Sequence, residues 1–447
     1  MADELAPRGK DSQRLLLGLK SALFDSNTNL FATPYHFDTL RRLMEFRPTL
    51  GVVYLEVSDF DRMEWLCGWQ ALDGILRSMA LELSSLRGAA YPASGLAACA
   101  GVHAGGFLVF LPENFTGSEP SLPDLEAMAG GLTRRIHATI CHQIPEELCS
   151  EVEVVAGYAL LRCEPVFRIE RLIYRAIEEA RSIAIRSAHR DEQRRGAELR
   201  QIIRAGLVET YFQPIVKMNS GEIFGYEALS RGPRGTHFET PKVLFGISDR
   251  LRISPLLDGV CRRRALRSAR GLNAGQKLFV NSLPATLSDP RFAQGETEAM
   301  NRDGAPAASD VVLEITERSG IEDFDQFGRR LEEIRSMGFQ VAIDDVGTGY
   351  SSLQTISEVR PDFLKIDHSL VKEIHESLIK QEIVASILQL GERIGSKVIA
   401  EGIEREEELE MIRAFGVQLG QGFLFGAPGP HPSAGGFLSA SAGPVAF

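Results

Sequence analysis

Residues 311–367 read VVLEITERSGIEDFDQFGRRLEEIRSMGFQVAIDDVGTGYSSLQTISEVRPDFLKID. Three short apolar runs stand out, VVLEIT, FQVAIDD and DFLKID, each ending on polar or charged residues and each separated from the next by a helix-length segment. Runs of this length read as buried strands, and their alternation with helical segments points to an α/β fold. Working outward, the same unit recurs as TYFQPIV, IFGYEAL and KLFVN on one side and as KVIAEG and VQLGQG on the other. Eight such strands predict a closed barrel rather than an open sheet. The loop KMNSGE between the first two is too short for a crossover helix, so that pair is expected to be antiparallel, a departure from the regular βα repeat.

Acidic and amide residues sit at the ends of these strands: Glu227, Asn281, Glu314, the pair Asp344 and Asp345, and Glu401. In a barrel these ends converge on one face. A single carboxylate there is most simply a helix cap or a surface charge, but six oxygen-bearing residues at the same structural position are not explained by capping. Oxygen-rich clusters suit hard divalent cations such as Mg²⁺ or Mn²⁺, and a double carboxylate with others around it suits two of them. Lys365 lies among these acids, where a cation can position water and steady developing phosphate charge; a salt bridge to Asp367 is the plainer role. Arg231, four residues after Glu227, has the planar fork that clamps phosphate, although it also reads as a surface charge. The run from Asp345 to Ser352, DVGTGYSS, offers glycines and small residues for a mobile loop.

These motifs resemble the EAL phosphodiesterase family: QPIV at Gln213, EALSR from Glu227 to Arg231, VN at Asn281, EITE from Glu314 to Glu317, then DDVGTGYSSL, LKID, AEGIE and QGFLF, in the family's order over about half the chain. The resemblance implies a modified TIM barrel that hydrolyses one phosphodiester of cyclic di-GMP to give linear pGpG. Carried over position by position, it implies that Glu227, Asn281, Glu314 and Asp344 hold a first metal, with Asp344 bridging. Asp345 and Glu401 would hold a second. Lys365 and Asp367 would orient the attacking water, Glu404 and Gln421 would complete the site, and Glu317 would hold the DDVGTGYSS loop. Gln213, Leu229 and Arg231 would contact the nucleotide. Two features differ from the usual family pattern: Val346 in place of Phe or Leu, and the segment GPRGTHFETPKVLFGISDR after Arg231. Neither removes an implied ligand.

Upstream, VVYLEVSDF reads as a strand followed by a helical stretch, Gly106 to Leu111 and VEVVAGYALL as further strands, and about Ile169 to Arg204 as a long charged helix. This half resembles a degenerate GGDEF domain, through DSNTNLF at Asp25 and LEVSDFDRMEWLCGWQALDGIL. Glu56 and Ser58 stand where that family has aspartates, and Glu64 and Trp65 replace an Asn-Asp pair. The signature itself reads His103 to Phe107, HAGGF, without its acidic pair. The resemblance therefore implies no cyclase activity and excludes a bifunctional enzyme, while Asp73 leaves weak GTP binding open. The expected organisation is an extension over 1–19, the α/β and α+β GGDEF-like domain over 20–188, a helical connector over 189–204, the barrel over 205–430 and a flexible tail over 431–447.

Composition narrows the partners. The 447 residues are 44% hydrophobic and 24% charged, the balance of a soluble protein with room for two cores. A net charge of −11 gives no basic footprint for DNA or RNA. No run approaches the ~18 apolar residues that span a bilayer, and the charged start MADELAPRGKDSQR does not read as a signal peptide, so a cytoplasmic location is expected. Cys67, Cys99, Cys141, Cys149, Cys163 and Cys261 show no metal-ligand spacing and are expected to be buried free thiols. The leading expectation is an enzyme whose GGDEF-like half regulates it or helps form a homodimer. The alternative is a receptor that captures cyclic di-GMP without turnover and signals to a protein partner.

Overall fold

The computed structural model describes residues 23–102, 105–144, 149, 152–270, 272–273, 275–290, 292, 305–316, 321, 323–347 and 352–432. His103 and Ala104, Glu317, the loop residues 348–351 and the tail from 433 lie outside the described residues, as do the first 22. Tertiary contacts divide the chain into two compact units between Arg195 and Gly196, and the helix Ile169–Ala205 runs through the division. No helix among the described residues is long and apolar enough to cross a membrane.

The first unit opens with a small antiparallel pair, β1 (Phe24–Asp25) and β2 (Leu30–Phe31). Its sheet comprises β3 (Thr49–Val57), β4 (Leu96–Cys99), β5 (Gly106–Leu111) and β6 (Val154–Arg162), antiparallel throughout in the order β4-β5-β3-β6. Leu50, Val52 and Tyr54 point to one face, against Leu40 and Met44 of one helix and Ile173, Ala176 and Ala180 of the long helix. Val53, Leu55 and Val57 point to the other, against the helices Phe60–Ser85 and Leu122–Cys141. Burial on both faces is why β3 reads as a nearly unbroken apolar run.

The expectation of six buried free thiols is corrected here. Cys141 and Cys149 form a disulfide, Cys163 is exposed and Cys67 is partly exposed, leaving Cys99 and Cys261 as the buried free cysteines. The helix ends at Cys141, and the returning chain brings the Cα atom of Cys149 within 4.9 Å. A spacing of eight residues does not itself disclose that proximity.

The second unit is the barrel. Its strands are β7 (Glu209–Lys217), β8 (Ile223–Arg231), β9 (Lys277–Asn281), β10 (Val311–Thr316), β11 (Gln340–Val346), β12 (Phe363–Ile366), β13 (Lys397–Ala400) and β14 (Leu419–Gln421). They close in the order β10-β11-β12-β13-β14-β7-β8-β9. β7 runs antiparallel to both neighbours, β8 and β14, and every other pairing is parallel. The eight strands and the antiparallel first pair expected from the sequence are thus present.

Side chains alternate between the barrel interior and the helical jacket. Leu278, Val280, Leu313, Val341, Ile343, Leu364 and Ile366 face outward and join the large core beneath the helices. Ile215, Phe279, Val312, Ala342, Phe363, Ile399 and Leu419 form a separate apolar layer inside the barrel. Two residues further along the parallel strands, the same inward face carries Asn281, Glu314, Asp344, Lys365, Glu401 and Gln421. The apolar layer is the floor beneath these polar groups.

Candidate functional site

Lys365 is the centre of the polar layer. Its side chain is fully buried, and Nζ lies 2.6 Å from Glu314 Oε1, 2.6 Å from Glu401 Oε1, 3.3 Å from Asp344 Oδ1 and 3.4 Å from Glu227 Oε2. The sequence left Asp367 open as its salt-bridge partner; the ion pairs run instead to these four carboxylates. Asp367 accepts the Ser369 N–H at 2.9 Å and lies 3.2 Å from His368 Nδ1, capping the short helix His368–Val371, and these contacts hold its carboxyl below the usual range against the upward push of burial.

Four carboxylates around one ammonium leave negative charge in excess. Burial, reinforced by the neighbouring carboxylates and only partly offset by Lys365, pushes the Glu314 and Glu401 carboxyls well above the ordinary range and raises Asp344 as well. Glu227 behaves differently. Burial works to raise it, but Lys365, Gln421 and Asn281 together hold it low. The contacts are direct: Gln421 Nε2 donates to Glu227 Oε2 at 2.6 Å, and Asn281 Nδ2 donates to Oε1 at 3.1 Å. Lys365 is itself held protonated by the four acids, despite the opposing effect of burial.

Oxygen atoms here remain unsatisfied. Glu314 Oε2 is buried without a partner, and Glu314 Oε1 and Glu401 Oε1, also buried, meet only the shared Lys365 ammonium. Buried acceptors in that condition are costly, and a divalent cation is the partner their chemistry suits. Asp344, Asp345 and Glu401 can each offer an oxygen such that all three lie within 4.8 Å of one another. Consecutive strand residues ordinarily point to opposite faces. Asp344 and Asp345 share one cluster because the β11–β12 register shifts between Ile343 and Val346 and Asp345 takes a left-handed backbone, φ 57°. The Asp345 N–H then donates to Asp344 Oδ1 at 3.0 Å. Asp tolerates that conformation better than most residues.

Of the remaining positions implied by the sequence, Gln213, Leu229 and Arg231 lie on β7 and β8 beside this group. Gln213 accepts from Gln421 Nε2 at 3.0 Å and donates to Gly426 O at 3.2 Å, so three amides and acids are linked across β7, β8 and β14. Leu229 and Arg231 lie on the inward face of β8 beyond Glu227, with Leu229 opposite Tyr211 of β7. The Arg231 guanidinium sits 5.9 Å from the Tyr211 ring centroid and donates to Ser230 O, and burial lowers its basicity. The Glu404 side chain is exposed, while its backbone N–H is held by Glu408 Oε2 at 2.9 Å. Glu317 is outside the described residues.

Three supporting residues escaped the sequence reading. Buried Glu408 accepts the backbone N–H groups of Glu373, Glu404 and Arg405 at 2.9 to 3.1 Å, fixing the turn that follows Glu401. A Ser or Thr three residues earlier would have signalled a capping box, but Arg405 stands there. Asp258 and Arg262 form a buried pair at 2.6 Å; their spacing of four was visible, their burial was not.

The cyclic di-GMP phosphodiesterase NbdA of Pseudomonas aeruginosa is 31% identical over 299 residues, which are 66% of this chain and 37% of that protein. The chain spans about a third of the length of the curated relatives it matches. A standalone EAL protein of Vibrio cholerae O395, solved in a c-di-GMP-bound form, is 34% identical across 52% of this chain and 98% of its own, with a TM-score of 0.46. The EAL domain of FimX from Xanthomonas citri, solved in complex with c-diGMP, shares the fold at a TM-score of 0.50 and 21% identity over 55% of this chain and 97% of its own. The family profile described as EAL domain matches residues 196–428, more than half of the chain, and the protein belongs to the EAL domain family.

Proposed function

We propose that the barrel hydrolyses cyclic di-GMP to linear pGpG with the help of two divalent cations, Mg²⁺ or Mn²⁺. The observation that carries this reading is the buried group of Glu227, Glu314, Asp344 and Glu401 around Lys365, four carboxylates against one ammonium, with Glu314 Oε2 left without a partner. A site that only recognised the dinucleotide would gain nothing from so many charged groups held in such a costly arrangement.

In this proposal Glu227, Asn281, Glu314 and Asp344 hold one cation, and Asp345 and Glu401 hold the second. Bound there, the cations supply charge neutralisation for the phosphodiester and lower the pKa of water. Asn281 and Gln421 fix the Glu227 carboxylate by hydrogen bonds, so it presents its oxygens without rotating. Lys365 stays protonated among the acids and orients the attacking water together with Asp367. The fixed ammonium also steadies charge as it develops on the phosphate. Glu404 completes the site, and Glu317 is assigned to hold the DDVGTGYSS loop. Gln213, Leu229 and Arg231 receive the nucleotide, with Arg231 as a planar donor for phosphate or base.

The first unit acts in this proposal as a degenerate GGDEF-like regulator or dimerisation module without cyclase activity. Glu56 supports that role: its carboxylate accepts from the Tyr54 hydroxyl at 2.7 Å, so it is engaged within the sheet. Weak GTP binding, a homodimer and a protein partner remain compatible roles for this unit.

The test is pGpG release from cyclic di-GMP by the purified chain with Mg²⁺ or Mn²⁺, beside a K365A control. Metal-dependent release lost in the control supports the reading. Tight binding of cyclic di-GMP without pGpG under all conditions overturns it in favour of a receptor.

A further inference from the structure

The helix Ser254–Ser268 lies outside the polar layer, yet it buries two charges. Asp258 and Arg262 are 5% and 2% exposed, with Arg262 Nη1 2.6 Å from Asp258 Oδ2. The guanidinium also lies 4.7 Å from the ring centroid of Phe292. Removing both charges from water is expensive, and apolar residues of similar size commonly serve stability as well or better. A role confined to holding the helix therefore gives a weak account of the pair.

The second oxygen of Asp258 supplies a better one. Oδ1 accepts the backbone N–H of Leu283 at 3.1 Å. Leu283 is two residues beyond Asn281, whose side chain donates to Glu227, and the intervening Ser282 N–H donates to Glu314 O at 2.8 Å. The segment from Asn281 to Leu283 is thereby pinned on one side by β10 and on the other by Asp258. Arg262 locks the carboxylate in the rotamer that makes this possible.

We propose that Asp258, clamped by Arg262, is a positioning residue that sets the end of β9 and so aims Asn281 at Glu227, the residue with which it would hold a cation. The inference rests on the metal-dependent reading above and goes beyond it in assigning a role to a charge pair on the outer helix. Supporting groups of this kind commonly change metal affinity by about 10- to 100-fold.

The experiment measures Mn²⁺ affinity by calorimetry on the full chain without nucleotide, alongside circular dichroism. D258N keeps the side-chain shape but sets an amide against the guanidinium. L283P removes the N–H donor at a residue whose φ of −76° proline already accepts, while also exchanging the leucine side chain, so it is read beside D258N, which leaves that side chain in place. D258N/R262Q replaces the ion pair by two amides that can still bond to each other and to the Leu283 N–H. The expected result is a loss of at least ~10-fold in Mn²⁺ affinity for each single variant and recovery in the double variant. Folded single variants that bind Mn²⁺ like the wild type overturn the proposal. So does unfolding of both, which would make the pair a requirement of the fold rather than of the site. A wild-type chain that binds no Mn²⁺ would instead refute the metal-dependent reading itself.

Discussion

Replacing Lys365 by Met tests the electrostatics of the site independently of turnover. The ammonium contacts four carboxylates between 2.6 and 3.4 Å and is fully buried, so its removal leaves uncompensated acid in the barrel. Breaking a buried ion pair from one side costs about 3–5 kcal/mol. In a unit of this size ~1 kcal/mol shifts the melting temperature by roughly 2–4 °C, which places the expected drop at about 6–20 °C for metal-free protein. The carboxyls of Glu314 and Glu401 are already raised, and without Lys365 they rise further. A folded-state pKa above the unfolded value of ~4.3 means that the native state holds the extra proton, so stability falls as pH climbs from that value through the raised one. The deficit is therefore largest in alkaline buffer. Saturating Mn²⁺ neutralises the same acids and stabilises K365M more than it stabilises the wild type, although hydrolysis stays lost. Scanning calorimetry of both proteins, with and without Mn²⁺, reads each part. A metal-free K365M that melts with the wild type would refute the charge arrangement described for the site.

Glu408 makes a second, acid-side prediction. Its folded pKa is depressed because the three backbone donors, backed by Arg405, outweigh burial, so its stabilisation is present above the unfolded pKa and is lost as pH falls through the folded one. E408Q should lower stability by about 1–3 kcal/mol at neutral pH and flatten the acid limb of the urea-unfolding profile; parallel profiles would contradict it. Gly347 has φ 112°, and a Cβ atom there would lie 2.3 Å from Leu370 Cδ1. G347A is expected to cost roughly 1–3 kcal/mol and to weaken Mn²⁺ binding through Asp345, two residues away, with unchanged affinity in calorimetry counting against that coupling. Purified chain given GTP and Mg²⁺ should release neither cyclic di-GMP nor pGpG; the appearance of either by chromatography would show that the first unit is a working cyclase.

Much of the barrel was legible because its information is local. Val312 and Glu314, or Phe363 and Lys365, are separated by two residues and therefore share a face whatever the rest of the chain does. Short apolar runs that end on acidic or amide residues exposed the strand pattern and the polar strand ends, whereas the roles of Gln213, Leu229, Glu317, Glu404 and Gln421 came only from the family resemblance. The short KMNSGE loop likewise restricts its strands to an antiparallel pair before any packing is known. The disulfide was not legible, nor were the burial of the Asp258–Arg262 pair and the three N–H groups gathered by Glu408, because each depends on segments meeting in space.

What the sequence by itself determined is the order of the strands and which residue types reach the inside of the barrel, since period-two alternation belongs to the backbone of each strand. Only the tertiary structure decided how those residues are paired. Lys365 meets Glu227, Glu314, Asp344 and Glu401 rather than Asp367 because four other strands set the register around β12. Asp344 and Asp345 share one cluster because the register shift in β11 and the left-handed backbone at Asp345 interrupt the alternation that would have sent them to opposite faces.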